Sequence, residues 1–408
     1  MDMKTEQQTQ SPELRHLVAD LPPAASVQIN DAVYRLKRDG KDIITLSLGE
    51  AFFEQPMISI SESDFAAGMH YSDSRGVPEL REKIATHYEK KFGAQVDPDR
   101  EILISAGSKA ILYMCMLAAT NPGGEILIHE PGWLSYLEQA RLAGASPRQL
   151  QYKASTKDIL SEISPRTNML ILNNPNNPAG RLYSRQEISD FYNECLQQNT
   201  YLLLDESYSD FAPPGEFASL SSVAPNKSHA LVVNSLSKNL GVSGWRIGYL
   251  IAEEQFVNAI LKLNQHLITC APTLLSNYCA KNFEAMVANT EPQLTTLQDK
   301  RTKIANAIAK RQLSCLTGST TFYFFLSIEG FPGTDVDFAR MLLVDEGVSV
   351  VPGSAYGSST DRFVRISIGT EPTERIETAL DSIKQLTIIR SFAKENYTAK
   401  FHHLVNGP

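Results

Sequence analysis

Residues 230–252 read ALVVNSLSKNLGVSGWRIGYLIA. A short apolar run, Ala230 to Val233, leads into a polar turn that holds a single lysine, Lys238, among Ser235, Ser237, Asn239, Gly241, Ser243 and Gly244. Arg246 follows the lysine, and a second apolar run, RIGYLIA at 246–252, closes the stretch. A lysine flanked by hydroxyls and an arginine sits in a positive, hydrogen-bonding field. Such a field lowers an amine pKa and suits an anionic phosphate. A bare SxSK would read as a solvated surface turn. The attached GWRIGY argues against that reading.

Upstream the same pattern repeats. EILISAG (101–107), EILIHEPG (125–132), MLILNNP (169–175) and YLLLDES (201–207) are short runs rich in Ile and Leu, most of them ending in Gly, Pro, Ser or Asn. Amphipathic stretches lie between several of them, 184–199 being the clearest. Continuous apolar strands alternating with helices predict an α/β fold with a mostly parallel sheet covered on both faces. Ligands of such sheets bind outside the carboxyl ends of the strands, where Asp205 and Lys238 fall. Before this region a helix is expected over 30–39, with Asn30 as N-cap and Gly40 as C-cap, and then a strand, IITLSLGE (43–50). After it, 255–308 is helical in character and bridges to a smaller α+β domain. That domain carries the strands FYFFLSI (322–328), VSVVPG (348–353) and FVRISIG (363–369), with a helix over 335–345. The expected division is 1–60 as an N-terminal arm and part of the small domain, 61–285 as the large domain, and 286–408 as the C-terminal small domain.

The 408 residues are 42% apolar and 21% charged, with a formal net charge of −8, an ordinary globular composition and a poor one for a nucleic-acid binder. Five cysteines form no CxxC pair, so neither a disulfide framework nor a zinc site is expected. The start, MDMKTEQQTQSPE, is polar and reads as a mobile arm with no signal peptide. No apolar run reaches the roughly 18 residues of a membrane span. The expected location is the cytoplasm. His402 and His403 sit in a polar tail, and no further ligand beside them suggests a metal site.

SLSKNLGVSGWRIGY resembles the Schiff-base lysine motif of fold-type I pyridoxal-phosphate (PLP) enzymes of the class I/II aminotransferase family. The resemblance covers nearly the whole chain through LPPAASVQINDAVYRLKRDGKDIITLSLGE, YSDSRGVPELREKIA, NNPNNPAG, DESYSDF, PGSAYG and VRISIGT, each in the family's order. It implies a fold-type I PLP-transferase and an aminotransferase acting on an L-amino acid, with a 2-oxo acid as further substrate. Lys238 would form the Schiff base with pyridoxal 5′-phosphate and shuttle the proton. Ser235, Ser237, Arg246 and the turn Gly107–Ser108–Lys109 would hold its phosphate, the turn by free amides at a helix start. Trp133 would stack on the pyridine ring, and Asp205 would pair with its nitrogen and keep the ring an electron sink. Asn177 and Tyr208 would hydrogen-bond the phenolic oxygen. Tyr71 would reach the phosphate of a neighbouring subunit, which implies a homodimer with shared sites. Arg365 would clamp the substrate α-carboxylate bidentately, with Asn177 beside it. Gly49 would let the backbone approach the same carboxylate.

Three segments depart from the family pattern. LGEPDF is replaced by Leu48-Gly49-Glu50-Ala51-Phe52-Phe53, DEIY by Asp205-Glu206-Ser207-Tyr208, and NNPTG by Asn176-Asn177-Pro178-Ala179-Gly180. These changes keep open a cyclase, lyase or oxidase acting on an arginine-like amino acid in specialised metabolism. No second arginine or lysine announces a clamp for a distal carboxylate. Glu50, Phe52, Phe53 and Tyr136 are candidates for lining a pocket for a cationic or aromatic side chain. A ligand-sensing module with a DNA-binding segment is disfavoured, since few residues precede the first helix.

Overall fold

The computed structural model describes residues 14–55, 60–392 and 394–406, so the arm expected over the first dozen residues lies outside the described residues. In chain order the strands are β1 (Ile44–Thr45), β2 (Ile102–Ser105), β3 (Glu125–His129), β4 (Ser146–Leu150), β5 (Thr167–Asn173), β6 (Tyr201–Asp205), β7 (Ala230–Ser235), β8 (Gly248–Ile251), β9 (Tyr323–Ser327), β10 (Val348–Ser349), β11 (Val351–Pro352) and β12 (Phe363–Ser367). Strands β2 to β8 form one seven-stranded sheet in the order β2-β8-β7-β6-β5-β3-β4. Its pairings are parallel except for those of β8, which runs antiparallel to both β2 and β7. The sequence did not announce β4. As an edge strand, SPRQL keeps most of its side chains partly exposed and so carries no apolar run.

Strand alternation sorts the core onto two faces. Ile102, Leu170, Leu202, Leu204 and Val232 pack on one side, with Leu80, Ile84, Tyr88 and Phe191 from the covering helices Pro78–Phe92 and Arg185–Gln197. Leu103, Ile171, Leu203, Leu231 and Val233 pack on the other, against Ile111, Leu112 and Cys115 of the helix Ser108–Ala119. Leu203 is wholly buried, and truncating such a side chain to alanine costs about 2–5 kcal/mol. The same parity decides where the last residues of the strands point. Asn173, Asp205 and Ser235 share the face of Ile171, Leu203 and Val233, and Asn173 pairs in register with Asp205. Three polar side chains therefore emerge together at the carboxyl ends of adjacent strands.

Two helix boundaries differ from expectation. The first long helix runs from Ala25 to Arg38, and Asn30 lies inside it, its side-chain oxygen accepting a 2.7 Å hydrogen bond from Ser47 Oγ. Asn30 makes a tertiary contact rather than a cap. Gly40, at φ +79°, follows the capping residue Asp39. The strand expected over 43–50 shrinks to β1, paired with β10, and Leu48 to Glu50 beyond it line the cavity described below. The stretch 255–308 divides into Glu254–Leu267 and Thr273–Lys310, with Pro272 at the break. By 1.5 Å per residue the second helix is about 57 Å long. Its first half buries Cys279, Phe283 and Met286 in the core of the large sheet. Its second half buries Leu294, Leu297, Ile304 and Ile308 in another core, formed around the antiparallel sheet β11-β12-β9 and the helices Asp335–Glu346 and Thr373–Thr387.

Candidate active site

The carboxyl ends of β5, β6 and β7 open into a cavity of about 600 Å³. Of the expected site residues, Gly49, Ser108, Lys109, Trp133, Asn177, Asp205, Tyr208, Ser235, Ser237, Lys238, Arg246 and Arg365 all line it. They come from seven separate stretches of chain, most of them at the carboxyl ends of the large sheet's strands and Arg365 on β12 of the smaller sheet.

Gly107 stands just behind the lining. It takes φ +87°, and a Cβ there would overlap the Arg246 guanidinium, so the close approach requires glycine. Lys109 Nζ lies 5.1 Å from the centre of the Trp133 ring. Burial lowers the pKa of Lys109, and the charge of Arg246 adds to the effect. Lys109, Lys238 and Arg246 form no ion pair among the described residues. Lys109 and Arg246 at the start of the Ser108–Ala119 helix, with the hydroxyls of Ser235 and Ser237 in the same cavity, form a donor set that fits a phosphate dianion.

Lys238 Nζ donates a 2.7 Å hydrogen bond to Gly49 O. Burial brings its amine down to about 8, opposed by the charge of Glu50 and assisted by Arg365 and Arg246. Glu50 itself accepts a 2.7 Å hydrogen bond from Ser243 Oγ at the rim. Asp205 is 5% exposed. Burial raises its pKa, while hydrogen bonds from Ser207 and Tyr136 work to lower it. Tyr136 Oη donates to Asp205 Oδ2 at 2.6 Å, so Tyr136 stands behind the carboxylate rather than lining a substrate pocket. Phe53 also lies elsewhere, stacked on Phe211 at 6.1 Å, and Phe52 is largely exposed. Of the four residues considered for substrate side-chain contact, Glu50 alone lines the cavity.

Arg365 projects from β12 and is 3% exposed. Its Nη2 donates to Ser47 O at 2.6 Å and its Nη1 to Asn177 Oδ1 at 3.4 Å, and its Nε has no hydrogen-bond partner. Sequence reasoning missed what holds it. Tyr323 on β9 is its diagonal neighbour, because Arg365 pairs with Phe325 two residues along the same face. The guanidinium carbon lies 4.5 Å from the centre of the Tyr323 ring and 5.5 Å from that of Tyr356. The Tyr323 hydroxyl in turn meets the Tyr208 hydroxyl at 2.9 Å, and Asn177 Nδ2 donates to Tyr208 Oη at 3.2 Å. Tyr323 sits inside FYFFLSI, where an apolar strand hides a polar atom. The only sequence signal was that hydroxyl.

Tyr71 is 85% exposed and does not line the cavity of its own chain.

Comparison with known proteins agrees with this geometry. Residues 41–383 match the family model described as aminotransferase class I and II. An aspartate aminotransferase of Thermotoga maritima is 28% identical over 376 residues, which cover 90% of this chain and 97% of the relative. A (5-formylfuran-3-yl)methyl phosphate transaminase of Methanocaldococcus jannaschii is 31% identical over 354 residues, covering 86% of this chain and 93% of the relative. The solved aspartate aminotransferase of Thermus thermophilus with maleate superposes with a TM-score of 0.82 at 27% identity, over 92% of this chain and all of that one. A family match over most of the chain, a fold-type I architecture and a cavity built for an anionic, amine-reactive cofactor converge: the chain belongs to the class I and II aminotransferases, enzymes that use pyridoxal 5′-phosphate.

Proposed function

We propose that this aminotransferase takes the amino group from an L-amino acid, with Lys238 as the residue that links to the cofactor and moves the proton. The observation that carries the reading is the Lys238 amine, lowered to about 8 by burial and set in one cavity with Arg365 and the cationic cup. When bound, pyridoxal phosphate supplies a carbonyl that condenses with amines and a ring that draws electrons from the substrate Cα. Ser235, Ser237, Arg246 and the Gly107–Ser108–Lys109 turn would hold its phosphate. Trp133 would stack on the ring, Asp205 would meet its nitrogen, and Asn177 and Tyr208 would donate to its phenolic oxygen. Arg365, which lines the cavity, offers its guanidinium fork to the substrate carboxylate. Gly49 leaves room there: a Cβ at that position would stand 3.0 Å from Tyr323 Oη and 3.7 Å from the Arg365 guanidinium. Lys238 Nζ, on leaving Gly49 O, is the atom that takes and returns the substrate Cα proton.

No observation favours cyclisation, elimination or oxidation. Of the departures that kept them open, Ser207 lines the cavity but spends its hydroxyl on Asp205 Oδ1, and Phe52 is largely exposed. The test is to mix the cofactor-loaded protein with single amino acids and no 2-oxo acid. The expected result is one equivalent of 2-oxo acid released per site, more only after an acceptor 2-oxo acid is added, and no release by Lys238→Ala. Repeated release without an acceptor, or full activity in Lys238→Ala, would overturn the reading.

Three further readings go with it. A homodimer with Tyr71 serving the neighbouring site is supported by the exposed apolar side chains Ile60, Phe65, Met69 and Tyr71 along one segment. A cytoplasmic location is supported by five cysteines that are all free thiols. Among the described residues no helix is long and apolar enough to cross a membrane. The division into 1–60, 61–285 and 286–408 is supported by the two cores served by the two halves of the Thr273–Lys310 helix.

A further inference from the structure

Asp205 carries more donors than its place in the fold requires. The backbone N–H of Ser207 donates to Oδ1 at 3.0 Å, and Ser207 Oγ donates to the same oxygen at 2.6 Å. Tyr136 Oη donates to Oδ2 at 2.6 Å. The bond to the backbone N–H alone is a carboxylate closing a turn on the amide two residues later, and it suffices to shape this corner. The hydroxyl adds nothing to the turn. It acts on the carboxylate itself.

An ionised carboxylate offers about four acceptor positions, two on each oxygen. The main chain and hydroxyl of Ser207 take both at Oδ1, and Tyr136 takes one at Oδ2. We propose that Ser207 is a positioning residue: it saturates Asp205 Oδ1, leaves Oδ2 as the atom that meets the cofactor's ring nitrogen, and weakens the pull of Asp205 on the proton between them. This rests on the reading of Asp205 as the partner of that nitrogen. Each donor on a carboxylate stabilises its anion and lowers its proton affinity, here against the opposing effect of burial. The remaining titratable neighbours are few. Tyr136 comes from the helix Ser135–Leu142, and Tyr208 follows in the turn. Glu206 points to the opposite face, to Ser219, Leu220 and Tyr88. The flanking strands offer Asn173 and Val233, which carry no charge. Lys109, Lys238 and Arg365 line the same cavity.

The test uses pyridoxal phosphate labelled with nitrogen-15 in the ring, loaded into the full-length protein. The nitrogen-15 chemical shift at neutral pH reports where the ring proton sits. In Ser207→Ala, Asp205 becomes the stronger acceptor, and the ring nitrogen moves towards its protonated limit. The proton equilibrium shifts about three- to tenfold, from half a pKa unit to one, for the loss of one charge-assisted bond. Ser207→Thr, which keeps the hydroxyl, tracks the parent protein. Ser207→Cys, which keeps the volume and loses the strong donor, follows the alanine variant and serves if that one does not fold. An unchanged shift in both Ala and Cys variants, a shift towards the neutral ring, or a crystal structure of the loaded protein with the ring nitrogen nearer Oδ1 overturns the inference. Asp205→Asn separates the two levels. If it leaves the shift unmoved, the reading of Asp205 fails. If it moves the shift and Ser207→Ala does not, the Ser207 inference alone fails.

Discussion

Tyr323 does two things with one side chain, and substitution separates them. Its ring lies under the Arg365 guanidinium at 4.5 Å, and its hydroxyl meets Tyr208 Oη at 2.9 Å. Tyr323→Phe keeps the ring and removes the hydroxyl. Tyr208 then retains Asn177 Nδ2 as a donor at 3.2 Å and is not left without a partner. A net hydrogen bond of about 1 kcal/mol is therefore the whole loss. If Tyr208 orients the cofactor, that loss lowers kcat about fivefold. KM for the amino acid stays within about twofold, because the cation–π contact persists. Tyr323→Leu removes the ring as well. A desolvated cation–π contact is worth about 2 kcal/mol, so KM rises about thirtyfold on top of the same fall in kcat. Steady-state kinetics of the two variants with one amino acid donor measure both effects. Equal rises of KM in both, or an unchanged kcat in Tyr323→Phe, would refute the division of labour.

The further predictions concern Lys238 and the subunit arrangement. The amine must be neutral to capture the cofactor, and burial lowers its pKa from 10.5 to about 8. The capture rate of the cofactor-free protein should rise tenfold per pH unit and level off near pH 8 in stopped-flow absorbance. Glu50→Gln removes a carboxylate that holds the amine up, so its plateau should come at lower pH; a rise continuing to pH 10 contradicts the shift. Because the folded chain gives up this proton before the unfolded one, the contribution of Lys238 to the stability of the cofactor-free protein should rise with pH between 8 and 10.5, read as the difference from Lys238→Ala. Mixed and refolded Lys238→Ala and Tyr71→Ala chains, each inactive alone, should form hybrids in which one site has both residues intact, recovering about a quarter of full activity. No recovery would mean that Tyr71 does not serve its neighbour's site.

The sheet was legible because strands buried on both faces must be continuous apolar runs. β2, β3, β5, β6, β7 and β8 each correspond to one. β4 was not legible, because its side chains before Leu150 stay at least partly exposed, whereas β2 at the other edge is wholly buried and reads as an apolar run. Asn30 suits a helix cap by residue type, but its acceptor is used by Ser47, a contact that local sequence cannot express. Among the departures from the family pattern, residue type alone could not say whether Ser207 faces substrate or Asp205, nor that Phe53 turns away to Phe211.

By itself the sequence indicated most of the strands and helices in order and, through its resemblance to the family, the lysine, the turns proposed to hold a phosphate and the arginine proposed for a carboxylate. Each rests on periodicity or on short motifs whose residues lie close along the chain. The tertiary structure decided that Tyr323 lies beneath Arg365 and against Tyr208, that Tyr136 and Ser207 share Asp205, and that Glu50 acts on Lys238. Apart from Ser207, which bonds Asp205 two residues away, those relations join residues far apart in the chain. Register and packing set them, and a hydroxyl or carboxylate acquires its role from whichever group the fold places within about 3 Å of it.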